Sequence, residues 1–128
     1  MKKLILISII LVLLMGVGVY ESFVSYNTYK QISLHSDNLL QMLNDKDFNQ
    51  EEAVSEYEKM EEKWNEYKDF ALVFSNHVSI KDYTQKMNTV RGYLVKNNLE
   101  ESYVAILMLK ASTEFLLREN LPSLENIL

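Results

Sequence analysis

The chain has 128 residues, with 18 acidic against 13 basic side chains, a net charge of −5 and no cysteine. The missing thiols exclude disulfides, cysteine-ligated zinc and attachment of a lipid to cysteine, and the acidic balance disfavours nucleic acid and anionic headgroups as partners. One proline and three glycines over this length argue for helices with short connections and against an all-β fold.

The first element is the run Leu4–Tyr20, LILISIILVLLMGVGVY, uncharged and preceded by Lys2 and Lys3. Its 17 residues would reach about 26 Å as a helix, near the lower limit for crossing a hydrocarbon core of about 30 Å. The run is expected to be a transmembrane anchor. Lysines before it and Glu21 after it favour a cytoplasmic N-terminus and an extracytoplasmic remainder, since cations near a span stay inside. A cleaved signal peptide is the rival reading, with Gly16 and Gly18 as small residues for a cleavage site. Against it, no alanine or proline lies there, and apolar residues continue through Phe23, Val24 and Tyr26. The expected organisation is therefore a cytoplasmic tip and anchor over residues 1–20 and an extracytoplasmic domain over 21–128. That domain carries 11 of the 13 cations and all 18 acids, a net charge of −7.

Four helices follow from the periodicity. From Tyr20 to Asn44, Phe23, Tyr26, Tyr29, Ile32, Leu39, Leu40 and Leu43 mark one face. No breaker separates this face from the anchor, so the anchor is expected to run straight into it. Residues 44–48 supply a turn. Asn49 with Glu52 reads as a capping box opening the second helix. Its stripe is Ala53, Tyr57, Met60, Trp64, Tyr67, Ala71, Phe74 and Val78, in alternating steps of four and three. Glu51, Glu56, Glu58, Glu61, Glu62, Glu66 and Asp69, with three lysines, are placed on the opposite, solvated face. Ser75, Asn76 and His77 read as a helix end, and Ser79 with Asp82 as the next cap. The third helix presents Ile80, Tyr83, Met87, Val90 and Leu94, and ends at residues 96–98. Asn98 with Glu101 opens the fourth, whose segment Tyr103–Leu109 is apolar all round and so is expected to be enclosed at the centre of the bundle. Asn120 and Pro122 stop it, and Ser123–Leu128 forms a short tail. The fold expected is all-α: an N-terminal transmembrane helix continuing into an antiparallel four-helix bundle.

Nothing in the pattern names a reaction. His35 and His77, the two histidines, lie outside the histidine–glutamate metal motifs. No serine sits in a nucleophile elbow. Gly92 stands alone inside a helical pattern and cradles no phosphate. The segment NDKDFNQEE lacks the glycine of a calcium loop. No catalytic, cofactor-binding or metal-binding residue is assigned. His77 reads as a helix C-terminal residue favoured by the dipole. With Asn76 and the tail residues Leu124, Asn126, Ile127 and Leu128 it is the expected partner contact, because irregular or apolar exposed segments mark such places.

The lysine-flanked anchor, the Trp64 helix followed by FALVFSNH ending at His77, the LLREN segment and the terminal SLENIL together resemble domain of unknown function 4363, a family of small bacterial proteins with an N-terminal anchor. The resemblance spans nearly the whole chain. It implies an envelope or sporulation accessory role at the bacterial surface and no assigned activity. Members tend to carry acids just after the histidine, where this chain has Val78 and Ser79.

The reading that follows is a non-enzymatic, membrane-tethered interaction module. The membrane is reached through residues 4–20, the partner is another envelope protein, and neither a cofactor nor nucleic acid is involved. The alternative is a sensory or small-ligand-binding ectodomain that signals through a partner membrane protein, with the stripe around Trp64 lining the pocket.

Overall fold

The computed structural model describes residues 1–74 and 76–119. Four helices account for most of them: α1 Lys2–Asn44, α2 Gln50–Phe74, α3 His77–Val95 and α4 Leu99–Glu119. The expected continuity is present. One 43-residue helix carries both the apolar run and the first strip of the bundle. Every residue before Glu21 is exposed, whereas Ser25, Tyr29, Ile32, Ser36 and Leu39 are buried.

α1, α2, α3 and α4 pack in a ring, each against the next and α4 back onto α1. Successive helices run antiparallel. The buried positions explain why. On α1 they step by four, three, four and three; on α2 they are Ala53, Tyr57, Met60, Trp64, Tyr67 and Ala71; on α3 they are Ile80, Tyr83, Met87, Val90 and Leu94. Each is a narrow seam with the 3.5-residue period that lets helices lie nearly parallel over their length. Burial of these side chains at ~25 cal/mol per Å² is the main source of stability.

The connections are made by local chemistry. Asn49 caps α2, its side chain accepting from Glu51 N at 2.9 Å and Glu52 N at 3.3 Å. Asn97 takes φ 56°, a left-handed conformation that asparagine tolerates better than most residues. Asn98 N donates to Tyr93 O and Asn97 N to Leu94 O, the paired bonds of a Schellman end. Asn98 then caps α4 through Glu101 N at 3.3 Å. Gln50 reaches from the start of α2 to the last carbonyls of α3, Leu94 O and Val95 O, at 3.0 and 2.9 Å.

Four expectations change. Phe23 lies 67% exposed, because the buried face of α1 runs through Ser25 instead. The α2 stripe stops near Ala71: Phe74 is exposed at the helix end and Val78 belongs to α3. The cap of α3 is Asn76, which accepts from Val78 N at 2.8 Å, and not Ser79. α4 is not enclosed. Its Ser102, Ala105, Ile106, Leu109 and Thr113 face the ring, while Val104, Leu107 and Met108 stand open to solvent. A four-membered ring has no centre for a helix to occupy.

Gly92 sits in the exposed interior of α3, and a Cβ built there meets nothing within 4 Å. Gly92→Ala should therefore stabilise the fold by about 0.5–1 kcal/mol, through the lower entropy of the unfolded chain. Thermal unfolding should show a Tm higher by roughly 2–6 °C; an unchanged or lower Tm would contradict the helical placement of this residue.

Candidate functional site

The interior is aromatic and polar at one level. Trp64 meets Tyr83 at a ring separation of 4.5 Å, Tyr67 at 5.9 Å and Tyr29 at 6.3 Å. Three helices contribute rings to this layer, and α4 contributes Thr113. Thr113 Oγ1 donates to Leu109 O at 2.7 Å, so the Tyr83 hydroxyl must donate to Thr113 Oγ1 across their 2.6 Å contact. Ser25 Oγ donates to Glu21, leaving the Tyr67 hydroxyl to donate to Ser25 at 2.6 Å. Trp64 Nε1 donates to Thr84 Oγ1 at 3.0 Å. Burial pushes the Tyr29, Tyr57 and Tyr83 phenols far above their ordinary value, so they stay protonated donors. Trp64 is 1% exposed. The stripe is packed interior, and the polar end of each ring is spent inside the protein.

Glu56 departs from its expected place. It is buried at the α1–α2 seam, with Oε1 2.6 Å from His35 Nδ1 and 3.0 Å from Asn38 Nδ2. Lys59 Nζ lies 3.8 Å from its other oxygen, Oε2. Burial raises the carboxyl, but the bonds from His35 and Asn38 and the charges of His35 and Lys59 outweigh it, so Glu56 lies below its ordinary value. His35 and Glu56 are 21 residues apart, and no local spacing signals the pair. Comparable ties cross the other seams: Arg91 with Glu61, Lys86 with Ser112, and Lys110 with Asp37. They fix the rotation of each helix against the next. Among the described residues no group of three or more His, Asp or Glu side chains is gathered as a metal site.

The expected contact residues divide. His77 is exposed, but it opens α3 and does not close α2, so the dipole at its position favours an anion and the C-terminal reading of it falls. Asn76 is occupied as the α3 cap. Leu124, Asn126, Ile127 and Leu128 lie outside the described residues.

The open face of α4 is the feature that sequence reasoning missed. Val104, Met108, Ala111 and Phe115 are exposed and step by four, three and four, with Leu107 alongside. This is a second heptad stripe on the side of α4 away from its buried one. Beside it, a shallow groove of about 200 Å³ between α3 and α4 is lined by Lys86, Thr89, Tyr93, Glu101, Val104 and Met108. The step pattern was legible in the sequence; two stripes on one helix simply read together as an apolar surround.

The apolar part of α1 is long enough to cross a membrane and is wholly unburied. In comparisons with known proteins, a family model described as a domain of unknown function, DUF4363, matches residues 20–127. No curated protein and no solved structure matches.

Because the folded-state Glu56 carboxyl is lowered from 4.5, its contribution is full above that value and is lost as pH falls through the lower one. Glu56→Gln should cost stability at neutral pH, and the gap to wild type should narrow on acidification from about pH 6 to about pH 3. Melting curves of both proteins check this; a gap that widens in acid would contradict the assignment.

Proposed function

We propose that this chain, which belongs to the DUF4363 family, is a membrane-tethered helical interaction module and not an enzyme. The observation that carries the proposal is the open stripe of α4. Exposed apolar patches of this kind, at regular helical spacing, suit the apolar face of a partner helix. The occupant is an amphipathic helix of another envelope protein, packed along Val104, Met108, Ala111 and Phe115. The ring would then gain a fifth helix on its outside. The anchor at residues 4–20 would hold the stripe at a fixed height above the extracytoplasmic face, with the N-terminus in the cytoplasm.

Two features favour this over a ligand-binding role. The aromatic rings fill the interior, and Ser25, Thr84 and Thr113 meet the polar ends of Tyr67, Trp64 and Tyr83, so the Trp64 layer offers a small molecule no room. The acidic side chains are spread over the surface or, like Glu56, tied into a seam.

A photo-crosslinking residue placed at Met108 in the full chain, expressed in its native membrane, should yield a discrete adduct. The same residue at Glu62, on the exposed face of α2, should yield none. Val104→Glu should abolish the Met108 adduct while leaving helical content unchanged. Equal adducts from both positions, or an adduct indifferent to Val104→Glu, would contradict the reading. An adduct of twice the chain's mass would replace the foreign partner with a second copy.

A further inference from the structure

The run FALVFSNHVSI, residues 70–80, holds no Asp, Glu, Lys or Arg in a domain otherwise dense with them. It spans the end of α2 and the start of α3, and the fold sets this α2–α3 turn at the end of the bundle where the anchor enters. Tyr20, the last residue of the apolar run, meets the Phe70 ring at 6.1 Å, edge to face. Rings then continue along α2, Tyr67 to Phe70 at 6.0 Å and Phe70 to Phe74 at 4.9 Å. His35 pairs with Glu56, Ser25 with Tyr67 and Tyr20 with Phe70. Each residue descended on α1 is matched by one residue advanced on α2. Continued by one helical turn, that register sets Phe74 level with about residues 16–18 of α1, near the end of the apolar run. His77 and Val78 open α3 within a turn of the same height.

We infer that the α2–α3 turn is a second membrane contact, seated in the interfacial layer of the same bilayer that holds the anchor. The exposure fits this occupant: Val73 is 76%, Phe74 45% and Val78 74% exposed. Among the described residues, three apolar side chains at one tip are largely open while the seams between the helices are packed. Their height fits too, because an apolar face held about 5–10 Å into the headgroup and acyl boundary is where such segments rest. The turn therefore acts as a foot. With the anchor as one support and the turn as the other, the bundle is held upright and its rotation about the anchor is fixed. The α4 stripe then faces a set direction in the plane of the membrane. The foot rests on the anchor reading and does not depend on the α4 partner.

The chain has no cysteine, so single-cysteine labelling is direct. The full chain, reconstituted in phosphatidylcholine–phosphatidylglycerol vesicles, would carry an environment-sensitive fluorophore at Val73→Cys, Phe74→Cys or Val78→Cys. Leu11→Cys reports the anchor, and Lys96→Cys the far end of α3. Lipid-borne doxyl groups should quench positions 73, 74 and 78 several-fold more than position 96, and aqueous iodide should do the reverse. Val73→Cys removes no ring, so it reads the same height if Phe74→Cys disturbs the fold. The inference is overturned if the three turn positions behave like 96. It is equally overturned if they are shielded from both quenchers, which would mean a protein covers them. Failure of Leu11 to respond to lipid would bring down the anchor itself, a result distinct from an anchored chain with a dry turn.

Discussion

The structure depends on one unbroken helix. α1 keeps its backbone hydrogen bonding from Lys2 to Asn44, so the apolar segment and the bundle share a single rod with no linker between them. A flexible join would let the domain tumble on its tether. A shared helix couples their orientations: the heights and directions of the other three helices are set relative to the axis of the apolar run. The register from Tyr20–Phe70 upward to His35–Glu56 transmits that constraint to α2, and α2 hands it on around the ring.

What makes the ring close is the layer at Trp64. Large rings from three helices meet there, and the fourth helix joins through Thr113. Tyr67, Tyr83 and Trp64 each donate to a hydroxyl on a neighbour, so burial of these polar ends costs little. Ser102 Oγ is the exception: it is buried and has no partner among the described residues. The charged ties on the seams add little energy where they are exposed. Their effect is on rotation and register, and Glu56, the most buried of them, sets the α1–α2 pair.

Much of this was legible in the sequence. The α2 and α3 seams were readable because their apolar residues alternate four and three, with charges between them. Asn49 and Asn98 announced their caps through the glutamates three residues on. The misreadings share one cause, that local pattern does not say which face meets a neighbour. Serines 25 and 36 were passed over because small hydroxyl residues carry no hydrophobic signal, yet close helix contact on α1 favours them. The charge on Glu56 groups it with its solvated neighbours, and partners on another helix, His35 and Asn38, make its burial tolerable. α4 was read as enclosed because its two stripes were not separated. At the α2–α3 turn, the Ser79–Asp82 pattern competed with Asn76, and Asn76 won by sitting directly before the first helical residue. The family was also legible, from the segment between Trp64 and His77 and the terminal SLENIL. Neither the α4 face nor the turn at Phe74 could be placed without the register between helices.

The central claim is that α1 stays straight across the junction between its apolar run and the bundle. Spin labels at Leu13→Cys and Gln41→Cys, on the full chain in lipid nanodiscs, bracket that junction at positions 28 residues apart. A continuous helix sets their backbones about 42 Å apart, and pulsed dipolar spectroscopy should return one narrow distribution near that length. A broad distribution, or one centred many ångströms shorter, would mean that the rod bends or unwinds near Tyr20, and the coupling of anchor to bundle would not hold.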